Sequence, residues 1–152
     1  MSEDASFADG AVRPLRLLAY DADDLAVIAA LAQDAVFPAT EMAWRPRERR
    51  FALLLNRFRW EEPHRRPPER VRSLLVIGDV VGVASDGVER GRDTVLSLLS
   101  LAFEPGPDGT GHVLLTLSGD GAIRVAVEAL DVQLRDVTRP YAAPSGRAPR
   151  HD

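Results

Sequence analysis

At 152 residues the chain has the usual length of one domain and can bury a core of its own. It contains no cysteine and no lysine, which excludes disulfides, thiolate metal sites, a P-loop and a lysine Schiff base. The net charge of −4 conceals an asymmetry, because residues 45–72 hold ten arginines against four glutamates, for +6, between acidic flanks.

Residues 1–12 read as a flexible leader, acidic through Glu3, Asp4 and Asp9, without the basic and apolar regions of a signal peptide. No run approaches the ~18 consecutive apolar residues of a membrane span, so the expected setting is the cytoplasm, with no membrane partner. Leu15, Leu17 and Ala19 alternate as a short strand. Asp21 then suits a helix N-cap, with Asp23 and Asp24 at the positive end of the dipole. Leu25, Ile28, Ala29, Ala32, Ala35 and Val36 recur at helical spacing, and Pro38 predicts a stop near Phe37.

The rest of the chain reads as strand. Met42–Trp44 and Arg49–Trp60 flank Arg45-Pro46-Arg47-Glu48, which suits a hairpin turn. The second of these strands sets Phe51, Leu53 and Leu55 on one face, and Ala52, Leu54, Phe58 and Trp60 on the other. Apolar residues on both faces point to a sheet covered twice. Glu61–Glu69, with three prolines, is a loop. Val71–Ile77 and Val80–Ala84 are two strands or one bent strand, broken at Gly78-Asp79. Val95–Phe103 reads as strand, with a short buried helix as the alternative. Val113–Leu117 and Ile123–Val127 form a hairpin around Gly119-Asp120-Gly121. The parity of alternation slips at Ala129-Leu130, which indicates a bulge or a sharp bend before Val132 and Leu134. Residues 140–152, rich in Pro, read as a flexible tail. The expected fold is therefore α+β over residues 13–139. It has one main helix near the N-terminus and a mostly antiparallel sheet of about seven to eight strands, curled or partly closed as a barrel.

Chemistry-bearing patterns are few. His64 lies in the Pro-rich loop beside Arg65 and Arg66, whose charges repel a cation, and His112 and His151 have no sequence-near partner. No G-x-S-x-G elbow or G-x-G-x-x-G run occurs. No catalytic, cofactor-binding or metal-ligating residue is assigned and no cofactor is expected. The one distinctive segment interleaves Trp44, Phe51, Phe58 and Trp60 with the ten arginines. Arg57 and Arg59 share one strand face opposite Phe58 and Trp60, which predicts a basic stripe backed by aromatics. The candidate binding surface is Arg49, Arg57, Arg59, Phe58, Trp60 and His64.

The run from Arg47 to Glu61 is familiar, as are Val95-Leu96-Ser97-Leu98-Leu99, Phe103-Glu104-Pro105 and Gly121-Ala122-Ile123-Arg124-Val125. With Leu17-Leu18-Ala19 and Asp23-Asp24-Leu25, they resemble a family of short alphaproteobacterial proteins, domain-of-unknown-function family 2948, from about Leu15 to Tyr141. The resemblance implies a bacterial, cytoplasmic setting and carries over no catalytic residue or cofactor. The residues favour a non-enzymatic interaction or accessory domain that presents its basic, aromatic-rich segment to an acidic protein partner. The alternatives are a protein or enzyme binding a small anionic ligand in an Arg-lined pocket, where guanidinium forks grip carboxylate or phosphate, and binding of RNA or single-stranded DNA.

Overall fold

A computed structural model describes residues 13–143 and Pro149. After β1 (Arg16–Ala19), Asp21 caps helix α1 (Ala22–Ala32), its carboxylate accepting from the Asp24 N–H at 2.8 Å. Leu25, Ile28 and Ala32 face the core. The expected helix end near Phe37 is corrected, because α1 stops at Ala32 and Ala35–Pro38 is strand β2. Asp34, at φ 62°, turns the backbone, and its N–H donates to the Leu98 carbonyl at 2.9 Å. Beyond it Ala35 and Phe37 are buried with a period of two, so sheet pairing overrides the helical spacing read from sequence.

The remaining strands are β3 (Met42–Arg45), β4 (Arg50–Phe58), β5 (Glu69–Ile77), β6 (Val80–Asp86), β7 (Val95–Pro105), β8 (Gly111–Leu117), β9 (Ala122–Val127), β10 (Val132–Asp136) and β11 (Tyr141–Ala142). Together they form one 11-stranded sheet in the order β1-β10-β5-β4-β2-β7-β8-β9-β6, with β3 also on β4 and β11 also on β5. Its two end strands do not pair, so the sheet is not closed. The architecture is α+β with one helix and a large antiparallel sheet, larger than the expected seven or eight strands. The difference comes from β2, hidden in the helical pattern, from β11, hidden in the expected tail, and from the 71–84 region, which is two strands, β5 and β6, rather than one bent strand. β5 pairs with β10 only over Ser73–Ile77, which leaves Glu69 and Arg70 open for β11 to pair. The Ala143 N–H then donates to the Pro68 carbonyl at 2.8 Å. The expected leader 1–12 lies outside the described residues, as do 144–148 and 150–152.

Two corners carry the chain between the two halves of the sheet. One is Gly78-Asp79, between β5 and β6, and the other is residues 128–131, between β9 and β10. The parity slip at Ala129-Leu130 is thus a bend. The corners are joined by hydrogen bonds from the Gly78 N–H to the Asp131 carbonyl (2.8 Å) and from the Glu128 N–H to the Asp79 carbonyl (2.9 Å). A Cβ at Gly78 would lie 3.0 Å from Asp131 Oδ2, so a larger residue here would require the Asp131 side chain to shift. Inside the curl, Phe51, Leu53 and Leu55 of β4 meet Leu115 of β8 and Leu25 and Ile28 of α1 in one buried cluster. The opposite face of β4 is not a second core: Ala52, Leu54 and Asn56 stay half-buried. No helix among the described residues is long and apolar enough to cross a membrane.

Candidate functional site

Alternation along β4 decides which arginines are available. Arg57 has the parity of Phe51, Leu53 and Leu55, so it points inward, and it is 0 % exposed. A buried guanidinium has to have its donors satisfied. Glu61 takes Nη1–H and Nη2–H in parallel at 2.9 Å each, and Asp136 Oδ1 accepts from Nη2 at 2.9 Å. Nε donates to Ser73 Oγ at 2.9 Å, and Ser73 in turn donates to Asp136 at 2.7 Å. Leu15 N–H reaches the same carboxylate at 3.1 Å, tying the chain just before β1 to the cluster. Arg59 donates to Glu69 at 2.6 Å, and Glu69 also receives Arg65 at 3.1 Å.

The charges match their neighbours. Burial works against the Arg57 cation, but its hydrogen bonds to Glu61 and the charges of Asp136 and Glu61 outweigh it and raise its pKa. Burial likewise opposes the Glu61 carboxylate, and the Arg57 hydrogen bond, its own backbone N–H and the Arg57 and Arg59 charges push it below the usual carboxylate range. Arg57, Arg59 and Arg65 meet Glu61, Glu69 and Asp136 in a closed cluster that pins the 59–68 loop to the sheet.

The expected basic stripe is corrected accordingly. Arg57, Arg59 and Phe58 are buried, and Trp60 is half-buried, edge-on to Phe58 at 4.8 Å between ring centroids. Arg49 belongs to the β3–β4 turn at the far end of β4, 2.6 Å from Glu128, and His64 is exposed in the 59–68 loop. The structure therefore brings Arg57, Arg59, Phe58 and Trp60 together as packing and leaves Arg49 and His64 apart.

The outward parity carries a different set of arginines. Strand register places Leu54, Leu74, Arg135 and Arg16 in one row across β4, β5, β10 and β1. The next row is Ala43, Ala52, Val76, Gln133 and Leu18, and the row on the other side is Ser97, Val36, Asn56 and Arg72. Arg45 and Arg50 face each other at the end of β3 and β4. None of these rows contains an acid. Arg16, Arg50, Arg72 and Arg135 are exposed, and no carboxylate among the described residues lies within 4.0 Å of their guanidinium groups. Leu18, 44 % exposed, and the half-buried Leu54 and Leu74 lie between them.

A cleft opens at the edge of this face. β2 touches β4 only through Val36 and Asn56, and β3 resumes pairing at Leu53, so the strands part over Leu54 and Leu55. The gap has a volume of about 240 Å³ and is lined by Val36, Pro38, Leu54 and Val95, with Glu41, Asn56 and Arg72 as its polar groups.

A family model described as Protein of unknown function (DUF2948) matches residues 15–151. The chain belongs to this family. No curated protein and no solved structure matches it. In this DUF2948 chain the basic segment 45–72 supplies only part of the exposed basic face. Arg16 and Arg135 come from opposite ends of the sequence and are joined by β1–β10 pairing. Only strand order reveals them, whereas the parity shared by Arg57 and Leu55 places Arg57 on the face of Phe51, Leu53 and Leu55.

Proposed function

We propose that this DUF2948 chain is a non-enzymatic interaction module, set in the bacterial cytoplasm, that docks an acidic, amphipathic protein segment on the outer face of β1, β10, β5 and β4. The observation that carries this reading is the like-charged cross-strand contact of Arg16 opposite Arg135; Arg50 also faces an arginine, Arg45, whose own charge is met by Glu48 at 3.7 Å. Like charges directly opposite each other destabilise a sheet. A face that keeps them, with acids absent from its rows, is complementary to carboxylates supplied from outside. Partner carboxylates would satisfy the guanidinium groups of Arg16, Arg50 and Arg135, while its apolar residues cover Leu18 and Leu74. The rows that hold the exposed arginines contain no aromatic ring, which favours an acidic protein over single-stranded nucleic acid, whose bases require stacking platforms.

The test is fluorescence anisotropy with a short labelled peptide of alternating Glu and Leu, against a Lys-Leu peptide and a single-stranded RNA pool. The Glu-Leu peptide is expected to bind, to weaken with salt, and to lose most of its affinity to Arg16→Ala/Arg135→Ala. Equal affinity for the Glu-Leu and Lys-Leu peptides, or tighter binding of RNA, would overturn the reading.

A further inference from the structure

The cleft between β2 and β4 carries features that docking on an open sheet face does not use. Its walls are apolar, yet two opposite charges stand at it without neutralising each other. Among the described residues no basic nitrogen lies within 4.0 Å of the Glu41 carboxylate, and no carboxylate lies within that distance of the Arg72 guanidinium. Local structure fixes both positions. Glu41 ends the single 3₁₀ turn Ala39–Glu41 that links β2 to β3, a turn anchored where the Ala39 N–H donates to the Thr94 carbonyl at 2.9 Å. Arg72 is held by β5, directly opposite Asn56 of β4. The Asn56 carboxamide is oriented as well: its Oδ1 accepts from Arg70 Nε at 2.7 Å, which leaves its N–H₂ as a donor.

We propose that this cleft binds a free α-amino acid with an aliphatic side chain. The α-carboxylate takes the Arg72 fork and the Asn56 N–H₂, the α-ammonium takes Glu41, and the side chain rests on Val36, Pro38 and Leu54. The volume of about 240 Å³ is below the ~300–1,000 Å³ usual for drug-sized ligands, which matches an occupant of this size. A simple fatty acid would bring its carboxylate into a site that already holds Glu41, and a simple amine would meet Arg72. Only a zwitterion answers both charges, and only one with an apolar side chain uses the walls. This inference goes beyond the docking reading and does not rest on it.

The experiment is a ¹H–¹⁵N correlation titration of the whole chain with L-leucine, 4-methylpentanoate, 3-methylbutylamine and glycine. L-leucine is expected to produce saturable shifts at Val36, Leu54, Asn56 and Val95. Each analogue, which lacks one of the three features, is expected to bind about tenfold more weakly or worse, since a charge-assisted contact, or burial of the leucine side chain, is worth about that factor. Arg72→Gln should weaken leucine and strengthen the amine, whose charge it no longer repels, and Glu41→Gln should weaken leucine and strengthen 4-methylpentanoate for the same reason. Both side chains are exposed, and the same spectra report whether each variant is folded. Arg16→Ala/Arg135→Ala should leave leucine binding intact, so failure here and failure of the docking face are separable. Absence of saturable shifts with leucine, or equal affinity for leucine and 4-methylpentanoate, would overturn the proposal.

Discussion

Arg57 and Arg72 lie on neighbouring strands within the same basic segment, and their environments are opposite. Arg57 is fully buried, with two carboxylates, a hydroxyl and a carbonyl around its guanidinium. Arg72 is exposed and has no carboxylate within 4.0 Å among the described residues. Formal charge along a sequence therefore does not measure charge available to a partner. Arg57 is an internal strut, and on the outer face of the sheet the free positive charge belongs to Arg16, Arg50, Arg72 and Arg135.

Removing a strut should cost far more than removing an exposed arginine. Arg57→Leu leaves Glu61 and Asp136 facing each other, with Asp136 only 5 % exposed and its cation gone. Breaking such a pair typically costs about 3–5 kcal/mol. Arg72→Ala should stay within about 0.5 kcal/mol of wild type. Urea denaturation of both variants measures the difference. Equal midpoints would erase the distinction between the two regions.

A smaller effect, and one that depends on pH, is expected at Glu61. Its carboxyl is held below the ordinary value on folding, so the unfolded chain takes up its proton first as pH falls. Its contribution is then complete above the unfolded-state value of ~4.3 and is lost as pH drops through the depressed folded value. Glu61→Gln should cost about 1.5–3 kcal/mol at neutral pH, the range for hydrogen bonds to a charged group. The gap to wild type should narrow as the solution is acidified below ~4.3. Urea melts at a series of pH values would show this, and a constant gap would mean that Glu61 contributes by packing alone.

Much of the fold was legible because local rules decide it. The Asp21 cap, the Pro46 hairpin and the alternation in β8 and β9 all follow from neighbouring residues. The errors lie where tertiary pairing overrules local pattern. Ala35 and Val36 continue the helical spacing, yet Asp34 turns the chain so that β2 can pair with β7. Tyr141 looks like tail until β5 offers it an unpaired edge. The site was misread for the same reason. Parity correctly separated Arg57 from Phe58, but which face is the core depends on what packs there. The partners of Arg57 include Asp136, 79 residues away, and Arg135 meets Arg16 only through β1–β10 pairing.

The smallest expected effect is the most telling, because its sign is unusual. Most substitutions destabilise a protein, yet Arg135→Glu should stabilise this one. The change replaces a like-charged pair, Arg135 opposite Arg16, with an attractive one on an exposed part of the sheet. Cross-strand charge pairs are worth roughly 0.2–1 kcal/mol, so the gain should be of that order. It should fade at high salt, where exposed charges are screened. The same variant should bind the Glu-Leu peptide more weakly than wild type. A gain in stability coupled to a loss of binding is the signature of a surface that tolerates repulsion for the sake of a partner. Had Arg135 been only a solubilising charge, the variant would gain stability and bind unchanged. Urea melts at low and high salt, together with anisotropy on the same protein, decide between the two.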